Sequence, residues 1–192
     1  MKNILYINAC CRAGSRTKEL AEHLIDKLDG NVRTVNLFEE NIRPLDAELL
    51  AKRDSLLKNG LTDDEMLYLA KQFASADTIV IAAPYWDLMF PSVLKVYLEN
   101  VTVCGITFCY CDKGVPQSLC KAKNLYYVTT AGGFTGENNF GFDYVKALAK
   151  GFFGIDNVML FSAEGLDIYG ADVNLIMSKA KENILLQFSD ES

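Results

Sequence analysis

Short apolar runs alternate along this chain with stretches in which apolar residues return every three or four positions. The runs are Ile4–Ile7, Thr78–Ala83, Leu125–Thr129 and Val158–Phe161, with a mixed fifth at Val32–Leu37. Uninterrupted β-formers of this length predict strands buried on both faces, as in a parallel sheet covered by helices. Helical spacing links Leu20, Ala21, Leu24, Ile25 and Leu28 in Thr17–Leu28, and a more polar helix is expected over Ala47–Leu57. Thr62-Asp63-Asp64-Glu65 has the form of a capping box, opening a helix with Met66, Leu69, Ala70 and Phe73 inward. Pro91 suits the first turn of another, which carries Val93, Leu94, Tyr97 and Leu98. Val145, Leu148, Ala149 and Phe152 mark Gly141–Phe153, and Ile176, Ala180, Ile184 and Phe188 mark Val173–Phe188. Ile106–Tyr110 and the segment around Pro116–Leu119 predict a short hairpin.

Strands that alternate with helices predict an α/β fold with a parallel sheet and right-handed crossovers. Five strands fit the doubly wound order 2-1-3-4-5. In that order the chain reverses between strands 1 and 3, so the loops leaving their carboxyl ends diverge and leave a crevice. The expected ligand loops are Ala9–Arg16, Pro84–Phe90 and Thr130–Gly141. The 192 residues are expected to form one domain, 1–192. A net charge of −6 argues against nucleic acid or an anionic membrane as a general partner. The chain opens directly on a strand, and it has no apolar stretch of membrane-spanning length. A cytoplasmic protein is the expectation. Its six cysteines, Cys10, Cys11, Cys104, Cys109, Cys111 and Cys120, lack zinc spacing and read as reduced thiols. A redox or metal role for Cys109-x-Cys111 is the alternative.

Each of the three loops offers a different chemistry. In the first, Ser15 and Thr17 supply hydroxyls, Gly14 permits close backbone approach, and Arg12 or Arg16 adds charge beside a helix N-terminus. That combination favours a phosphate. The second loop, Pro84-Tyr85-Trp86-Asp87-Leu88, brings two aromatics, including the chain's one tryptophan, to the crevice. In the third, Thr129-Thr130-Ala131-Gly132-Gly133 offers hydroxyls and flexible amides for the edge of a ring. Together they suggest flavin mononucleotide (FMN), with its phosphate in the first loop and its ring between the other two.

The first loop also supports a rival reading. Cys10, Arg16 and Thr17 form C-x5-R-T, the pattern of low-molecular-weight tyrosine phosphatases. There a thiolate at a helix N-terminus attacks a phosphoryl group that an arginine clamps. Such enzymes need an Asp-Pro pair for general acid catalysis, and the four prolines here follow Arg43, Ala83, Phe90 and Val115. The lone His23, placed on the solvated face of its helix, makes a Ser-His-Asp or Cys-His unit improbable.

A resemblance covers nearly the whole chain. Ser15-Arg16-Thr17, the segment Ala82–Tyr110, Thr129–Gly133, Gly151–Ile155 and Ala163–Gly165 follow one another as in a known family. The sequence resembles the flavodoxin-like, FMN-dependent NAD(P)H oxidoreductases of the azoreductase and quinone reductase group. The resemblance implies a flavodoxin-like three-layer sandwich, FMN as bound cofactor, NADH or NADPH as co-substrate, and a quinone, azo or similar small aromatic acceptor. It implies a homodimer with the active site at the interface. Cys10, Ser15, Arg16 and Thr17 would lie at the FMN phosphate. Pro84, Tyr85, Trp86, Asp87 and Leu88 would line the isoalloxazine, with Thr130, Ala131, Gly132 and Gly133 on its other edge. Tyr110 and Phe153 match aromatic positions near the substrate pocket. Cys10 stands where the family commonly has serine, and Asp87 where asparagine is frequent. Ala131 replaces a larger polar residue seen in some members. The flavin would carry the chemistry, so no catalytic side chain is assigned. A flavodoxin-like electron carrier without enzymatic activity is the other reading of the same loops, but it does not account for Phe90–Leu119.

Overall fold

A computed structural model describes residues 1–189, apart from the side chain of Ser189. In chain order the first half holds β1 (Asn3–Asn8), α1 (Arg16–Ile25), β2 (Asn31–Asn36) and α2 (Ala47–Lys58). A 3-10 turn (Glu65–Leu67) then leads into α3 (Tyr68–Ser75), β3 (Thr78–Ala82) and α4 (Ser92–Val101). A hairpin of β4 (Phe108–Tyr110) and β5 (Pro116–Ser118) precedes β6 (Asn124–Thr130), α5 (Phe140–Gly151), β7 (Asn157–Ala163) and α6 (Val173–Ser189). The main sheet has the order β2-β1-β3-β6-β7, with every pairing parallel. This is the expected 2-1-3-4-5 order.

Alternation along each strand explains why the central runs are apolar throughout. Leu5, Ile7, Ile79, Ile81, Leu125 and Tyr127 face one side, packing with Phe73 of α3, Leu94 and Leu98 of α4, and Val145 and Ala149 of α5. Ile4, Tyr6, Val80, Tyr126 and Val128 face the other, against Leu20 and Leu24 of α1 and Met177 and Ile184 of α6. Edge strand β2 is covered less, so Val32 is exposed while Val35 is buried. The polar helix α2 buries no residue.

Several local expectations shift. Asp64, rather than Thr62, caps the segment after α2 by accepting a hydrogen bond from the Met66 amide. Asp64 lies directly before the 3-10 turn, within reach of that amide, and the tighter turn buries Leu67 in place of Met66. Helix α1 stops at Ile25, and the amides of Lys27 and Leu28 close tighter turns onto the carbonyls of Leu24 and Ile25. His23 is half-buried with its Nε2 out of contact with solvent, not solvated. Among the described residues, no helix is long and apolar enough to cross a membrane.

The sheet ladder continues past the strand ends and fixes the loops beyond them. Ala9 N donates to Ala82 O, Ala83 N to Val128 O, Tyr85 N to Thr130 O, and Ala131 N to Ala163 O, at 2.8 to 3.1 Å. The first residues of the three loops after β1, β3 and β6 are thereby aligned along one edge of the sheet, with the chain reversal between β1 and β3 near its centre.

Candidate active site

The phosphate-type loop is held at both ends. Asn8, at the end of β1, donates from Nδ2 to Asn36 Oδ1 (2.9 Å) and accepts the Cys10 amide on its own Oδ1 (3.0 Å). At the other end Ser15 caps α1, its Oγ accepting from the Lys18 amide at 3.3 Å. As an acceptor there, the hydroxyl still has a proton to donate, toward Cys10 or toward a group entering the cleft. The first turn of α1 therefore presents backbone amides, a hydroxyl proton and the Arg16 guanidinium to the same space.

That space is a cleft of about 410 Å³. It is lined by Cys10, Ser15, Arg16 and Thr17 from the first loop, Pro84, Tyr85 and Trp86 from the second, and Thr130, Ala131 and Gly132 from the third. These loops come from distant parts of the chain and meet only because the strand order brings their carboxyl ends together. Thr17 is buried, and its hydroxyl shares a 2.7 Å hydrogen bond with that of Thr130, so the pair ties the first loop to the third. Tyr85 donates from its hydroxyl to Asn138 O at 3.0 Å, tying the second loop to the third. Glu164, just beyond β7, accepts both the amide and the hydroxyl of Thr135, each at 2.9 Å. The cleft wall is cross-braced before any ligand enters.

Five expected residues lie elsewhere. Trp86 and Met89 exchange backbone hydrogen bonds of 3.1 and 2.8 Å, closing a two-residue turn whose tip is Asp87 and Leu88. Both tip residues have positive φ, +50° and +67°, and they face solvent outside the cleft. Tyr110 is exposed on the β4–β5 hairpin. Phe153 is 1% exposed, with its ring 4.7 Å from that of Phe73. It is a core residue, because the chain turns inward after α5 and buries it under the sheet. Gly133, at the exposed end of the third loop, uses its carbonyl to accept from Gly165 N and is not part of the cleft lining.

The sequence reading omitted the loop after β7, which contributes Leu166 and Asp167 to the cleft. Asp167 forms an ion pair with Arg16 at 2.9 Å. The signal for it is positional, since every loop that follows a strand of a parallel sheet opens on the same edge.

Cys10 separates the two chemistries considered for the first loop. Its half-buried thiol sits 3.8 Å from the Ala82 carbonyl, and burial pushes its pKa up to about 11, the Ser15 hydroxyl opposing only in part. A thiol in that state is protonated near neutrality and is a poor nucleophile. With no Asp-Pro pair in the chain, the phosphatase reading loses both of its chemical groups.

Fold and cleft together define a flavodoxin-like protein, with its ligand loops at the switch point of the sheet. The flavodoxin-like fold family matches residues 2–188, and the chain belongs to it. It is 36% identical to an FMN-dependent NADH:quinone oxidoreductase of Lachnoclostridium phytofermentans, with 95% of this chain and 96% of that protein covered. A Coprothermobacter proteolyticus protein of the same description is 35% identical, over 98% of this chain and all of its own length. Among solved structures, an FMN-dependent NADH-azoreductase of Bacillus anthracis in complex with FMN superposes with a TM-score of 0.83. It is 22% identical, and 99% of each chain is covered; at that identity the likeness is one of fold.

Proposed function

We propose that this protein is an FMN-dependent NAD(P)H oxidoreductase that reduces a quinone, azo compound or similar small aromatic acceptor. The observation that carries this reading is one cleft with an anion-binding end and an aromatic wall. The α1 N-terminus, Ser15 and Arg16 form the first, and Tyr85 with Trp86 forms the second. The donor set fits FMN: a hydroxyl proton, helix amides and a guanidinium suit a terminal phosphate, and the Gly132 amide suits a polar ring edge. Full-length relatives described as FMN-dependent NADH:quinone oxidoreductases support the same cofactor and donor.

The chemistry supplied by a bound FMN is two-electron transfer between a nicotinamide and the acceptor. The chain itself binds, orients and excludes water. Ser15, Arg16 and the α1 amides would hold the phosphate, and Tyr85 and Trp86 would line the ring. The Thr17–Thr130 and Glu164–Thr135 contacts keep the loops at fixed spacing, so the cleft needs little reorganisation on binding.

A homodimer completes the reading. Phe134 and Tyr169 are 78% and 103% exposed, with Ile168 and Phe140 close to half exposed, on the loops that follow β6 and β7 and at the start of α5. Large apolar side chains left open beside a ligand site favour a covering partner. The cytoplasm is the expected compartment.

Protein saturated with FMN should be yellow, and NADH or NADPH should bleach it anaerobically with no added reductase. A quinone added afterwards should restore the colour. Protein that binds no FMN would overturn the reading. Yellow protein that neither nicotinamide bleaches would make it an electron carrier.

A further inference from the structure

The carboxylate of Asp167 occupies a position built for it. Beyond β7 the chain runs back along the third loop, with Gly165 N, Leu166 N and Asp167 N donating to the carbonyls of Gly133, Ala131 and Gly132. Those bonds fix the Asp167 backbone against Gly132. A Cβ on Gly132 would lie 2.5 Å from Asp167 Oδ2, so the carboxylate fills the space that a side chain at 132 would take. From there Oδ1 accepts a 2.9 Å charge-assisted hydrogen bond from Arg16 Nη1, from the loop after β7 to the first turn of α1. The cleft wall thus carries a negative charge, largely open to solvent, paired with the guanidinium at the α1 N-terminus.

A carboxylate beside a phosphate site is repulsive unless it does something for the site when the phosphate is away. Arg16 sits at the positive end of α1, where its own charge is unfavourable, and an anion there offsets both. We propose that Asp167 is a stand-in anion: it holds Arg16 over the first loop until a terminal phosphate takes the guanidinium from it. The exchange makes Asp167 a specificity residue of the cofactor site. It lowers affinity for the phosphate-bearing ligand and leaves one without a phosphate unaffected. The inference rests on the FMN reading above and adds to it the pair that sets how strongly the phosphate counts.

The test titrates the full chain, freed of flavin, with FMN and with riboflavin, and follows flavin fluorescence. The set is wild type, Asp167→Asn, Arg16→Gln and the double variant, with Asp167→Ser as a second removal of the charge. Asp167→Asn should tighten FMN by roughly three- to fivefold at low ionic strength, the scale of a partly exposed ion pair. The gain should shrink at high salt, and riboflavin should bind all five proteins alike. With Arg16 already replaced, the further Asp167→Asn change should give little or no gain. FMN binding that is weakened or unchanged by Asp167→Asn and Asp167→Ser overturns the proposal. So does an equal gain for riboflavin, which would report a reshaped cleft. A full gain without Arg16 would mean simple repulsion, and also overturns it. If wild type binds neither flavin, the cofactor reading fails and takes this proposal with it; if wild type binds FMN and only the variants disappoint, the cofactor reading stands.

Discussion

At the scale of single residues, Cys10 shows how burial decides chemistry. Its place in C-x5-R-T suggests a nucleophile, yet the half-enclosed thiol is held protonated. The same burial links it to stability. A folded-state pKa of about 11, against an ordinary 9.0, means that the native protein keeps its proton longer than the unfolded chain does. The sign follows from linkage: this contribution is full below the unfolded value and is lost as pH rises through the folded one. Cys120, pushed up to about 12 by burial, adds to the same alkaline limb. Urea midpoints should therefore be flat near neutrality and fall between about pH 9 and 11. Replacing Cys10 by serine should flatten part of that fall, and a fall of undiminished depth would show that other groups cause it. At neutral pH, alkylation should reach the exposed Cys11 well before Cys10.

At the scale of elements, the turn between β3 and α4 is the most strained part of the cleft's surroundings. Two-residue turns of this hand need positive φ at both central positions, and asparagine or glycine usually supplies it. Aspartate tolerates that region, but Leu88 at +67° carries the cost of a Cβ held against its own backbone. Leu88→Gly should stabilise the fold by roughly 0.5–1 kcal/mol, less what glycine returns to the unfolded chain. A higher urea midpoint with unchanged slope would establish this. A lower midpoint would mean that the leucine side chain makes a stabilising contact that outweighs the strain. The strain sits next to Trp86, so the turn is retained where it aims an aromatic residue at the cleft.

The elements also mark how far the sequence was legible. The buried strands could be read from their apolar runs because both faces are covered, and the sheet order followed from strand count and alternation. Loop positions followed from the sheet order, which is why most of the first three loops' predicted residues meet in one cleft. Features that depend on contacts between remote residues were not legible. Phe153 continues a helical apolar stripe, and nothing local tells that its ring will pack, tilted, against Phe73 rather than open onto a pocket. Asp167 lies in a loop with no motif to mark it, and its meaning appears only when Gly132 and Arg16 come alongside. Asp87 and Leu88 have suitable side chains for a ring wall, but the hydrogen bonds between Trp86 and Met89 turn them away.

For the whole molecule, the distribution of apolar surface around the cleft argues for assembly. The ring of Phe134 lies over Gly165, where an added Cβ would be 3.2 Å from it, and Ile168 packs on the same spot. Phe134 and Tyr169 nevertheless leave most of their area in water. Covering apolar surface gains roughly 25 cal/mol per Å², and specific dimers bury on the order of 800 Å² per partner. Phe134 and Ile168, side by side over Gly165, would give such an interface an apolar centre. Because a dimer binds only folded subunits, its melting temperature should rise with protein concentration. Sedimentation should give twice the 21.4 kDa chain mass at micromolar concentration. Phe134→Glu would place a charge at that centre and should shift the species to monomer and remove the concentration dependence. FMN binding should persist in the monomer, because the phosphate end of the cleft lies within one chain. Reduction of a bulky aromatic acceptor should fall, since the acceptor would have lost one wall of its pocket. A wild-type protein that sediments as a monomer at all concentrations would instead make these residues the open rim of a single-chain site.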